Sequence, residues 1–206
     1  MKLDLLTLPF RVLVRPFDGF WDMKYEEKGR LTIAYIILFF LVIVQILRSQ
    51  YVGFLYNFNN PQYLNSINEF KYIVLPFFLW CISNWSLTVL MDGEGKFKEI
   101  LTATGYAVLP LIVVYVPTMI MSHFITMEEG AFYYFFNSAA VVWAAWLLFV
   151  GMMTIHQYTP LMTVVTMGLT VIVMGIIIFL GLLTFSLIQQ IQFFFETIYR
   201  EIVFWS

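Results

Sequence analysis

The densest concentration of reactive groups in this chain is the run Asp92-Gly93-Glu94-Gly95-Lys96-Phe97-Lys98-Glu99. Asp92, Glu94 and Glu99 could in principle hold a cation, but their spacing matches no calcium loop. Acids at the start of a helix complement its dipole, which accounts for them more simply. The Gly-Glu-Gly-Lys stretch has a faint likeness to a phosphate-cradling loop. It lacks the earlier glycine, the Ser/Thr after the lysine and the preceding strand that such a loop needs. Two histidines, His123 and His156, are expected at opposite ends of one apolar segment, each at an interface, where they cannot share a metal. Cys81 is the only cysteine and lies in an apolar run, so neither an internal disulfide nor a thiolate metal cluster is available. Ser83, Asn84 and Ser86 sit in the middle of a hydrophobic segment, where polar side chains hydrogen-bond across to a neighbouring helix. None of these groups makes a catalytic constellation.

The elements that carry them are set by composition. Of 206 residues, 61% are hydrophobic, 19% aromatic and 12% charged, with a mean hydropathy of +0.84. A soluble domain carries about a quarter charged residues. An apolar excess this large cannot be hidden in one globular core, so the expected solvent is lipid. The net charge of −2 and the absence of a basic, aromatic-interleaved patch exclude a nucleic-acid partner. The first 30 residues carry mixed charge and no short apolar core before a small-residue cleavage site, so no cleavable signal peptide is expected.

The pattern predicts an all-α integral membrane protein with five transmembrane helices, at about 31–48, 72–91, 100–123, 138–155 and 161–187. An N-terminal interfacial amphipathic segment (1–30) precedes them and a C-terminal amphipathic tail (188–206) follows. In the N-terminal segment Asp4, Pro9, Arg11 and Arg15 interrupt the apolar residues, and Phe17, Phe20 and Trp21 continue the apolar contact beyond Pro16. In the loop after the first span, Asn59, Asn60 and Pro61 signal a turn. Pro110 and Pro117 fall on one face of the third span, each freeing a carbonyl one turn earlier, so two bends in the same direction are expected. Ala140, Ala144 and Gly151 in the fourth span, and Gly168 and Gly175 in the fifth, recur at helical spacing. They are expected to let other helices approach closely.

Lysine and arginine set the orientation. With the N-terminus inside, Lys2, Arg11, Arg15, Lys24, Lys28, Arg30, Lys96 and Lys98 lie inside, eight of the eleven in the chain. Five crossings then leave the C-terminus outside. No Asp, Glu, Lys or Arg is buried within a span, and proton-coupled carriers and intramembrane hydrolases need such a group at depth. The expected class is therefore non-enzymatic. Internal similarity between halves is too slight for an inverted-repeat carrier.

With these pieces assembled, the chain resembles the Yip domain family, named for Ypt/Rab-interacting proteins, over roughly residues 10–188. The resemblance rests on five spans, the turn 92–99, Gly105-Tyr106-Ala107-Val108-Leu109-Pro110 in the third span, and Pro16-Phe17-Asp18-Gly19-Phe20-Trp21 before the first. Members with a long cytosolic head engage Rab-type GTPases. Only about 30 residues precede the first span here, which argues against that partner and matches the compact bacterial branch. For that branch the resemblance implies no cofactor and a bacterial cytoplasmic membrane location. It also implies a role as accessory or scaffold subunit to another integral membrane protein, such as an ABC transporter permease. Partner contacts are expected from Phe97, with Lys96 and Lys98 steering an acidic surface, and from Phe17 and Trp21. A second reading is a small-molecule permease or lipid-handling protein, with Asn84, Ser83, Gln45 and the Pro-kinked third span lining a path.

Overall fold

The structure is a computed structural model that describes residues 4–57, 65–91 and 93–204, with side chains from residue 7 onward. Asn59, Asn60, Pro61, Asp92 and Ser206 lie outside the described residues. All regular structure among them is helical. Two short helices, α1 (Asp4–Val14) and α2 (Pro16–Tyr25), precede α3 (Leu31–Tyr51) and α4 (Ser66–Leu90). A broken helix follows as α5 (Phe97–Ala107) and α6 (Leu109–Met121), then α7 (Gly130–His156) and α8 (Pro160–Phe204). Five of these units are long and apolar enough to cross a membrane, which makes the protein an all-α, multi-span membrane protein.

The spans are longer than the sequence reading has them. Asn65 caps α4, its side chain accepting from the Ile67 N–H at 2.9 Å, so the helix begins six residues before the expected 72. Arg48 lies inside the last turn of α3, where its guanidinium sits 4.2 Å over the Tyr115 ring of α6. An aromatic face offers a cation at that position an alternative to water.

The centre of the bundle is α5. Every residue from Ile100 to Ala107 is buried, against α3, α4 and α7. Its two threonines survive there because each hydroxyl donates to its own helix, Thr102 to the Lys98 carbonyl and Thr104 to that of Ile100. Close approach to α3 comes from Gly105: a Cβ there would lie 2.5 Å from the Ala34 Cβ and 2.9 Å from its Cα. The helix then breaks at Val108. Pro110 has no N–H to donate to the Tyr106 carbonyl. The Val108 N–H bonds that carbonyl instead, and a new helix starts at Leu109. Pro117 lies inside α6, which runs on unbroken to Met121.

The N-terminal segment differs most from expectation. It does not lie as one helix on a surface. It folds into an antiparallel hairpin that turns at Arg15 and packs along the bundle, with Leu8, Val12, Leu13, Phe20 and Met23 in the main core. Val12 meets Gly19 across the hairpin, and Arg11 pairs with Asp22. The α2 helix runs alongside the last third of α7. Phe17 packs edge-on against Trp146 at 6.4 Å, Phe20 covers Gly151, and the Lys24 ammonium reaches the Ile155 carbonyl at 2.5 Å. Ten residues of α7 separate Trp146 from its end at His156, so the hairpin tip sits about 15 Å down the bundle. Arg15, exposed, is at that tip. The physical reason is Pro16: it opens α2 and forces the chain to turn, where a single surface helix would have to run through it.

Candidate functional site

One end of the bundle gathers the hairpin, the 93–96 turn and the short connection from α7 to α8. Lys24 holds them together. Its side chain is 11% exposed, donates to the Ile155 carbonyl and lies 3.4 Å from Glu94. Gln157 donates to the same Glu94 oxygen. Gln157 itself adopts φ 56°, the left-handed conformation that ends α7, and its N–H returns to the Met153 carbonyl. Beside the hairpin, Glu26 hydrogen-bonds Lys28 and holds its ammonium above the ordinary lysine range.

Beneath this polar surface a buried relay joins four elements. The Gly95 N–H points at His156 Nδ1, 3.3 Å away, and His156 Nε2 lies 3.0 Å from Asn84 Oδ1. Because Nδ1 accepts from Gly95, the ring proton is assigned to Nε2, which donates to Asn84. The Asn84 Nδ2 donates to Thr170 Oγ1 at 3.2 Å, and Thr170 passes its own proton to the Thr166 carbonyl at 2.7 Å. Tyr158 stacks on the imidazole and donates to the Met91 carbonyl. Gly95 is required by this packing, since a Cβ there would sit 2.5 Å from His156 Cε1. The inner turn, α4, α7 and α8 are thereby fixed to one another.

His156 is therefore buried, 2% exposed, where the sequence reading puts it at an interface. Burial follows from the docked 93–96 backbone, which supplies a partner for a nitrogen that water would otherwise satisfy. His123 is at the far end, bonded to the Tyr51 carbonyl at 2.7 Å, so the two imidazoles are separated by the length of α7. Among the described residues no group of His, Cys, Asp and Glu could hold a metal ion.

The other singled-out residues divide sharply. Asn84 bonds across to two helices. Ser83, one residue before it, is buried with no hydrogen-bond partner among the described residues. Lys96 and Lys98 are exposed, and Glu99 caps α5 by accepting the Lys96 N–H at 3.1 Å. Phe97 is half-buried and turned inward, edge-on to Trp85 at 5.8 Å. Phe17, against Trp146, and Trp21, against Tyr25, remain about half exposed. Ala140 is buried beside Val44 and Tyr115, Ala144 is half-buried, and Gly151 receives the Phe20 ring. Gly168 and Gly175 have nothing within 4 Å of where a Cβ would be, so within this chain they are not contact points. Apart from Thr163, Thr166 and Thr170, no residue of α8 is buried, and from Ile178 onward every residue with a described side chain is exposed. The tail is not a separate helix: α8 continues unbroken for 45 residues, about 67 Å.

The geometry defines a five-span helical membrane protein with a sunken N-terminal hairpin and a fifth helix that leaves its own bundle. The Yip1 domain family profile matches residues 10–183, and the chain belongs to that family. No curated protein and no solved structure matches it.

Proposed function

We propose that this protein is a non-enzymatic accessory or scaffold subunit that holds another integral membrane protein, an ABC-type permease being the leading candidate. The observation that carries the reading is α8: its stretch 171–183 is apolar on all sides with no residue buried, and the small residues Gly168, Gly175 and Gly181 face no neighbour in the chain. In lipid, helices associate through close packing at small residues, so such a face suits a second helix. The hairpin end, where Lys24, Lys28, Arg30, Lys96 and Lys98 gather, is assigned to the cytoplasm of a bacterial cell.

A photoreactive residue at Ile176 tests this. The expected result is a crosslink to one integral membrane chain of different sequence, present in stoichiometric amount and lost in Gly175→Leu. A crosslink only to lipid, or only to a second copy of this chain, would sink the heteromeric reading. The permease alternative relies on Asn84 facing a path, and both ends of its amide are spent on His156 and Thr170.

A further inference from the structure

A cavity of about 260 Å³ opens at the hairpin end between the α2–α3 connection and the start of α5. Three lysines line it, Lys24, Lys96 and Lys98, together with Glu27, Glu99 and Thr102. Two of the carboxylates and lysines are already occupied. Glu99 caps the Lys96 N–H, and the Lys24 ammonium is held by Ile155 and Glu94. Lys96 and Lys98 have no acidic partner within 4 Å among the described residues. The cavity therefore presents two ammonium groups without a direct ion pair, beside the carboxylates of Glu27 and Glu99, with Lys24 behind them.

Its position is as informative as its charge. The wall on one side is the connection just before α3 enters its apolar run at Leu31; on the other, α5 carries Lys98 and, one turn further in, Thr102. The cavity thus starts at the charged end and descends along the first turns of α5, beside the entry to α3. Gly29 keeps this wall tight, since a Cβ there would strike the Met23 side chain. Glu27 is held in its wall at φ 51°, an uncommon conformation for a residue with a side chain. The volume lies just under the range for whole small-molecule ligands, about 300–1,000 Å³, and suits a headgroup fragment.

We infer that this cavity binds the phosphate of a phospholipid headgroup, with Lys96 and Lys98 as the charged contacts. Basic pockets between spans, at headgroup depth, recognise anionic lipids by this chemistry. The inference is independent of what covers α8.

The test uses the full chain purified in mild detergent, with dihexanoyl phosphatidylglycerol, dihexanoyl phosphatidylcholine and inorganic phosphate as separate probes. Native mass spectrometry is expected to show a retained phosphatidylglycerol adduct, reduced at least about tenfold in Lys96→Gln/Lys98→Gln. Lys71→Gln, at the opposite end of the bundle, is expected to leave it unchanged. Glu27→Gln removes a negative charge from the wall and is expected to raise retention, which keeps the inference testable if the double variant folds poorly. Equal retention in wild type and double variant, or equal loss in Lys71→Gln, would overturn the site. Thermal protection by inorganic phosphate as strong as that by phosphatidylglycerol would overturn the lipid as its source.

Discussion

Two helices of this protein, α5 and α8, both read as greasy spans and live in opposite surroundings. The more hydrophobic of the two, α8, is the one with less company: no residue of its apolar stretch 171–183 is buried, whereas every residue of α5 from Ile100 to Ala107 is. Hydropathy reports compatibility with an apolar medium and is silent on whether that medium is lipid or protein. What separates the helices is the placement of small and polar residues. In α5, Gly105 is pressed against Ala34, and Thr102 and Thr104 satisfy themselves internally. In α8, threonines 163, 166 and 170 mark the stretch docked on α4, and beyond them the glycines face open space.

That contrast can be broken by substitutions of the same kind in the two places. Gly105→Leu should have the largest effect. Its new side chain meets backbone as well as the Ala34 methyl, so a loss of about 3 kcal/mol or failure to fold is expected by denaturant titration in micelles. Asn84→Leu comes next. It strands the His156 Nε2–H and takes a donor from the Thr170 hydroxyl, which keeps its bond to the Thr166 carbonyl, and a loss of about 1–2 kcal/mol should appear in the same titration. Gly151→Leu displaces only the Phe20 ring, so about 1 kcal/mol is expected, concentrated in the hairpin. Faster trypsin cleavage after Arg11 and Arg15 with little change in global unfolding would show it. Gly175→Leu should be smallest, within about 0.5 kcal/mol of wild type for the isolated chain. A large destabilisation there would mean that α8 is packed after all, and the comparison with α5 would fail.

How much of this was legible in advance follows the same division. The five spans announced themselves through uninterrupted apolar runs, and the cross-helix role of Asn84 followed from a polar residue at depth. The hairpin did not. Pro9, Arg11 and Arg15 looked like interruptions in one surface helix, whereas Arg15-Pro16 is the turn between two. The usable signal was the pair of apolar faces on either side of that turn, Leu8 with Val12 and Phe20 with Met23, each at helical spacing. His156 was misplaced because Thr159-Pro160 marks a loop, and loops are ordinarily wet. Its burial depends on the backbone of Gly95, 61 residues away, which no local pattern encodes. The openness of Gly168 and Gly175 was equally invisible, since spacing shows that a face is smooth and not who rests on it.

The sunken hairpin also sets an order of assembly. A ribosome releases α1 and α2 before any of the spans, yet their docking surface is the end of α7, and the Lys24–Ile155 contact joins residues 131 positions apart. The earliest helices made must wait beside the membrane, with Leu8, Val12 and Phe20 unsheltered, until the fourth crossing is in place. Insertion of this protein is thus finished at its beginning.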